Sequence, residues 1–327
     1  MSDRPRVFVR SNPRVLDHDP GLGHPESATR VEVILDALES DADGRWTVDR
    51  HAPLPPDDDI IGALKWIHEG DYIERFRAAS EEGHGWLDSH DCRLSKGTYS
   101  AALAAAGLAM NAALDLVNGR IDRAFVVIRP PSHHAENDAA KGYCFFNSVA
   151  LAAEIVVASL GEIVLIVDFD AHHGNGIQQR FYDRPDVGYV SVHGYPGFPG
   201  TGTADETGEG EGEGTTRNIP LAVGADDSVF CSAFERALDE LALRLHPKVI
   251  IVSAGFDAHA ADPLGGMRLT EAGFRRLSAA VAATAHRWSG GRVLSFLEGG
   301  FDLQALANCT RIHVEELAFG EVEKADA

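Results

Sequence analysis

Lysine is scarce in this 327-residue chain: it supplies five of the 29 basic residues, against 50 acidic ones, and the formal net charge is −21. A surface of that sign repels a phosphate backbone, so nucleic acid is excluded as an expected partner. It would draw a cationic amine or a basic peptide instead, although a saline or GC-rich source leaves the same acidity with no bearing on partners. Cysteine is also sparse. Cys92, Cys144, Cys231 and Cys309 form no C-x-x-C pair, which argues against a thiolate zinc knuckle and fits reduced thiols better than a disulfide framework. No apolar run is read as approaching the ~20 residues of a bilayer span, and no membrane partner is expected. The N-terminus, MSDRPRVFVR, is charged from its first residues and has no signal-peptide core, so the expected location is cytoplasmic.

What the chain does have is an ordinary globular balance, 44% hydrophobic and 24% charged. Five short runs rich in β-branched residues read as buried strands: 124–128, 163–169, 187–192, 248–254 and 292–297. They lack in/out alternation, as expected where both faces of a parallel sheet are covered. Helical patterns fall between them, at Lys96 to Asn118 with Gly119 as its stop, and at 145–160, 228–245, 271–288 and 302–318. Alternating strands and helices predict one α/β domain, residues 1–327, with a central, mostly parallel sheet flanked by helices on both sides. Residues 194–218 (GYPGFPGTGTADETGEGEGEGTTRN) have too much Gly, Thr and Glu to build a core. They are expected to form a long surface loop, mobile over the Glu-Gly repeat at 209–214 and stiffer around Phe198.

In a parallel sheet, ligands bind beyond the carboxyl ends of the strands. Every one of the five predicted strands ends in polar or glycine-rich residues: Arg129 to His134, Asp168 to His173, Ser191 to His193, Gly255 to Asp257, and Glu298 to Phe301. Stability alone would not require acids and histidines at all these ends, so their convergence points to an enzyme. Asp170 and His172, two apart on a segment read as extended, would point the same way. With Asp257 they make three ligands and leave positions open, a catalytic-zinc arrangement that would also suit iron, cobalt or manganese. Metal-assisted amide hydrolysis needs a base and an acid, for which His133 and His134 are candidates, with Asp168 and Asn175 near enough to set their tautomers. His173 and His193 are assigned to supporting hydrogen bonds.

The motifs RPPSHHA, GYCFFN, VDFDAHHGNGIQ, PGFPGTG, SAGFDAHAADPLGG and LEGGF, in this order, together resemble the histone deacetylases, most closely the class II and bacterial amidohydrolase-like members; HPESATR (24–30) resembles the family's first active-site loop. The resemblance implies the arginase/deacetylase fold and removal of acyl groups from lysine side chains or similar amines. By position it makes Asp170, His172 and Asp257 zinc ligands and His133 and His134 the catalytic pair, with Asp168 behind the first and Asn175 behind the second. It also implies a substrate tunnel walled by Gly142, Tyr143 and Phe198 and a rim acid at Asp91. A structural monovalent cation, potassium, would sit at Asp168, Asp170, His172, Ser191 and Val192.

One position departs from the pattern. Active deacetylases carry a tyrosine after Glu-Gly-Gly, and this chain has Phe301. The missing hydroxyl implies slow turnover and keeps alive a second class, an acyl-lysine binding protein. A two-metal, arginase-like site is disfavoured, because Gly174 stands two residues after His172 and His259 two residues after Asp257, where further acids would be needed. An acetylpolyamine amidohydrolase is a third reading, in which an acidic gatekeeper would replace Leu264. Oligomeric state is left open.

Overall fold

The computed structural model describes residues 7–40, 44–83 and 85–319, so the two ends of the expected 1–327 domain lie outside the described residues. The strands are β1 (Val7–Arg10), β2 (Trp46–Asp49), β3 (Arg123–Val126), β4 (Val164–Asp168), β5 (Val187–Gly194), β6 (Thr216–Leu221), β7 (Val249–Ala254) and β8 (Val293–Leu297). The helices are α1 (Thr29–Ser40), α2 (Asp57–Leu64), α3 (Gly70–Glu82), α4 (Thr98–Val117), α5 (Ser148–Leu160), α6 (Asn175–Phe181), α7 (Asp227–Leu245), α8 (Glu271–Ser289) and α9 (Leu303–Phe319). All strands pair in parallel in one sheet, in the order β2-β1-β3-β8-β7-β4-β5-β6.

The central strands β3, β8, β7 and β4 are buried at every residue, which explains why their mostly apolar sequences show no in/out alternation. Helices α4 and α5 pack on each other over one face, while α7, α8, α9 and α1 form the layer on the other. This is the three-layer α/β arrangement expected. Three strands were not legible in the sequence. β1 and β2 are four residues each, and β2 and β6 are edges with mixed burial. Pro220 inside β6 is tolerated because that strand lies at an edge. Helix α4 also corrects the expectation about apolar length: its 20 residues are long and apolar enough to cross a bilayer, yet most of the helix is buried inside the protein.

The segment at 194–218 differs from the expected loop. Its last three residues begin β6, and Gly212, Thr215 and Thr216 are buried. Glu206 ties the front half down, accepting the N–H groups of Gly202 and Thr203 and the amide of Gln178. Within the Glu-Gly repeat, a Cβ on Gly212 would stand 2.6 Å from Arg184 N and 2.7 Å from Tyr182 O. Glycine serves close backbone approach there, rather than mobility.

Several histidines are buried neutral. His313, between the hydroxyls of Ser278 and Ser295 at 2.8 Å each, is pushed down by burial to about 3. Burial also lowers His68 to about 4. Below about pH 6.5 the unfolded chain takes up protons that these folded rings refuse, so stability should fall as pH drops from 6.5 towards 4. Urea denaturation of metal-free protein across that range should show a slope shallower by about one proton in His313→Gln, whose amide replaces a non-titrating pair of hydrogen bonds.

Candidate active site

The loop after β3 carries Ser132, His133 and His134, and Glu298 at the end of β8 holds it in place. The Glu298 carboxylate accepts Ser132 N–H and Oγ–H, each at 2.5 Å, and His133 N–H at 3.1 Å. Burial pushes this carboxyl up to about 7. Beneath the loop lies a cluster the sequence did not reveal. Arg129 and Arg30 both donate to Glu26, at 2.8 and 3.2 Å, and all three side chains are fully buried. Arg30 also donates to the carbonyls of Gly300 and Glu298, at 2.6 and 2.5 Å.

The two histidine rings lie 3.9 Å apart between centroids. His133 Nδ1 is 3.0 Å from Asp168 Oδ2, an oxygen that also accepts from the Tyr189 hydroxyl at 3.1 Å. His134 Nδ1 is 2.8 Å from Asn175 Oδ1. The Asn175 amide nitrogen donates to His134 O and Glu136 Oε1, which fixes the oxygen towards the ring. His134 Nδ1 is therefore the donor, and in the neutral ring Nε2 is a free acceptor. In the metal-free protein burial opposes the charged form of both rings. The charges of Asp170 and Asp168 outweigh it at His133, raised to about 10. At His134 burial is reinforced by the charges of His133 and His172, and the ring is held well below the usual histidine range. Two adjacent imidazoles thus differ in charge.

Asp170 and His172 lie in a bend just beyond β4 rather than on the extended segment expected. What brings them together is local: Asp170 Oδ1 accepts His172 N–H at 2.9 Å and lies 3.1 Å from His172 Nδ1. Asp257, beyond β7, accepts Ala171 N–H through Oδ1 at 2.8 Å. Its Oδ2 is 2.8 Å from His172 Nδ1 but is buried without a hydrogen-bond donor. The ligand atoms of Asp170, His172 and Asp257 lie within 4.8 Å of one another, the one such group among the described residues. Two carboxylates, an imidazole and an orphaned carboxylate oxygen fit a divalent cation, which would satisfy that oxygen. Glycine is required around them: a Cβ on Gly255 or Gly299 would stand 2.0 or 2.6 Å from Asp170 Oδ2.

These groups line a cavity of about 220 Å³, together with Asp91, Gly142, Tyr143, Phe198, Leu264 and Phe301. The Phe198 ring stands edge-on to His134 at 5.0 Å, and Tyr143 edge-on to Phe301 at 5.9 Å. Gly142, at φ 57°, lets the wall close in, since a Cβ there would be 2.3 Å from His134 Cδ2. Tyr143 follows at φ 66°, an unusual conformation for an aromatic residue. Asp91 Oδ2 accepts Gly142 N–H at 3.0 Å. Phe198 and Leu264, 43% and 41% exposed, mark the mouth. The Arg30 guanidinium lies 4.9 Å from the centre of the Phe301 ring.

Asp168 and Asn175 sit behind the histidines, as expected. Ser191 is in register with Asp168 on the neighbouring strand, and its hydroxyl bonds to His193 at 2.8 Å; Val192 is the next residue on that strand. His173 binds Thr201 and Gln178, and His193 also binds Gly202 O, so neither joins the ligand group. Glu26, Arg129, Glu298 and Tyr189 are supporting residues with no role assigned from the sequence, although Arg129 and Glu298 stand in its strand-end clusters and Glu26 in HPESATR.

An eight-stranded parallel sheet with this constellation at its carboxyl edge defines a hydrolase of the arginase/deacetylase α/β fold. The chain belongs to the histone deacetylase domain family, which matches residues 24–317. It is 38% identical over 297 residues to a histone deacetylase-like amidohydrolase of Pseudomonas aeruginosa, covering 90% of this chain and 76% of that one. Among solved structures, the HD domain of HDA15 superposes with a TM-score of 0.88 at 30% identity, covering 98% of this chain and 91% of that one. An acetylpolyamine aminohydrolase from Burkholderia pseudomallei gives 0.84 at 28% identity, covering 96% and 99%.

The ligand group predicts one tightly held divalent ion per chain. Metal analysis after dialysis should find about one equivalent in the parent protein and far less in His172→Ala, since two carboxylates alone leave the ion under-coordinated.

Proposed function

We propose that this protein is a zinc-dependent amidohydrolase that removes acyl groups from lysine side chains or similar amines, and that Phe301 makes its turnover low. The observation that carries the reading is the adjoining of two groups at the floor of one aromatic slot: the convergent Asp170, His172 and Asp257, and a histidine pair with different partners, Asp168 behind His133 and Asn175 behind His134. A zinc ion held by the three ligands supplies electrophilic polarisation to a scissile amide. His134 Nε2, kept basic-side-open by the Nδ1 bond to Asn175, takes the proton from the attacking water. His133, hydrogen-bonded through Nδ1 to Asp168, places a second imidazole near the departing amine. The walls formed by Gly142, Tyr143 and Phe198 sleeve an unbranched alkyl chain, worth about 0.8 kcal/mol for each CH₂ buried. Asp91, beside Gly142, is the acid that would meet the substrate backbone. A potassium ion at Asp168, Asp170, His172, Ser191 and Val192 belongs to the same proposal, supported by the adjacency of β4 and β5 at Asp168 and Ser191.

Phe301 also favours a second reading, an acyl-lysine binding protein, because its ring completes the slot and donates no hydrogen bond. The likeness to an acetylpolyamine aminohydrolase raises a different substrate. Leu264 at the mouth offers no ion pair to a distal ammonium, and the net charge of −21 acts only as a diffuse field screened within about 8 Å. Acyl-lysine peptides should therefore bind at least as tightly as acetylspermidine or acetylputrescine in side-by-side calorimetry; a clear polyamine preference would count against the substrate class.

Turnover separates the two functional readings. Loss of one oxyanion donor typically costs about 10²–10³ in rate. Phe301→Tyr should raise kcat on acetyl-lysine at least about tenfold with a smaller change in apparent affinity, and trifluoroacetyl-lysine should be the faster substrate of the parent. A tyrosine variant that binds but turns over no faster leaves the binding-protein reading in possession.

A further inference from the structure

Asp262 stands five residues beyond the ligand Asp257, in the loop that brings Leu264 to the mouth. It neither joins the ligand group nor lines the cavity. Its carboxylate nonetheless gathers four backbone N–H groups from two chain segments. Oδ1 accepts those of Leu264 and Gly265, at 2.9 and 3.2 Å. Oδ2 accepts those of Phe301 and Asp302, at 2.6 and 3.3 Å. The Oδ1 pair is an ordinary aspartate turn, which asparagine or serine can also form. The second oxygen does something a turn does not need: it reaches across nearly forty residues of sequence to the segment following β8. The two segments so joined carry Leu264 and Phe301, which face the same cavity.

We propose that Asp262 is a positioning residue that sets where the side chain at 301 stands over the cavity floor, and thereby how well a donor at that position meets the acyl carbonyl. The proposal rests on the amidohydrolase reading for its catalytic half. Its structural half stands on the four hydrogen bonds alone. Asparagine at this position has a single acceptor oxygen, so its amide N–H₂ would face one of the two N–H pairs, donor against donor, and the bridge between segments would open.

The test compares four proteins: the parent, Asp262→Asn, Phe301→Tyr and the double variant. Hydrogen exchange is read in peptides spanning 262–266 and 299–303, alongside kcat and KM on acetyl-lysine and metal content. Asp262→Asn should speed exchange in the 299–303 segment while leaving metal content at the parent level and KM within about twofold. The gain from Phe301→Tyr should shrink by at least about threefold in the Asp262→Asn background, the coupling expected of residues that act through one another. A role confined to holding the fold would lower both backgrounds by one factor and leave the tyrosine gain intact, which overturns the proposal; so does loss of metal, or a change carried mainly in KM. If Phe301→Tyr alone brings no gain, the amidohydrolase reading has failed, and exchange then decides: acceleration at 299–303 upholds the positioning role, and unchanged exchange there overturns it. Should Asp262→Asn not accumulate folded, Asp262→Glu, which keeps both oxygens on a longer arm, carries the same comparison.

Discussion

Four carboxylates, those of Asp168, Asp170, Asp257 and Glu298, are buried together beyond the carboxyl ends of β4, β7 and β8. Taking each such group out of water costs several kcal/mol unless charge or hydrogen bonds replace the lost hydration. The surrounding architecture is arranged to meet that demand. Glu298 receives three donors from the Ser132–His133 loop, Asp170 receives the N–H groups of His172 and Gly299, and Asp168 receives the N–H groups of Asp170 and His133 and the hydroxyl of Tyr189. Only Asp257 keeps an oxygen with no donor, and that oxygen faces His172 at the point where a cation would sit. The histidine pair takes its split charge from the same source. The cluster of acids lies next to His133, whereas His134 sees a neutral amide.

Much of this was legible in the sequence because the chemistry is concentrated where buried strands end. An apolar, β-branched run leading into acids, histidines or paired glycines is visible without knowing any contact: His133-His134 after β3, Asp170-x-His172 after β4, Asp257 after β7 and Glu298-Gly299-Gly300 after β8. The parts that escaped fall into two physical kinds. Edge and near-edge strands such as β2 and β6 carry mixed burial, so their periodicity is weak, and β6 contains a proline that reads as a turn. Supporting residues are defined by partners remote in sequence. Glu26 meets Arg129 across 103 residues, and Asp262 meets Phe301 across 39. Glu298 stands inside a motif that drew attention to its neighbour at 301, while its own task is to hold the loop after the adjacent strand β3. Asp170 and His172 were correctly paired for an incorrect local reason, since a bend and a hydrogen bond align them rather than an extended backbone.

Phe301 separates two properties that are usually found together. Its ring contributes to the slot against Tyr143 and beneath Arg30, so on the proposed reading the wall that would sleeve an alkyl stem is kept. The electrostatic help for a developing oxyanion is a separate feature, supplied by one oxygen atom that phenylalanine lacks. On the proposed reading, binding and turnover would be set by different parts of the same residue position.

The contact between Arg30 and Gly300 spans 270 residues, so during synthesis it can form only after both segments have been made. Until the segment after β8 leaves the ribosome, Arg30 lacks the two carbonyls that hold it, and Glu26 lacks an anchored partner on that side. The Ser132–His133 loop waits on the same event, because Glu298 arrives with that segment. A chain that stops before this segment lacks both the carboxylate that accepts the Ser132 and His133 donors and the carbonyls that accept those of Arg30.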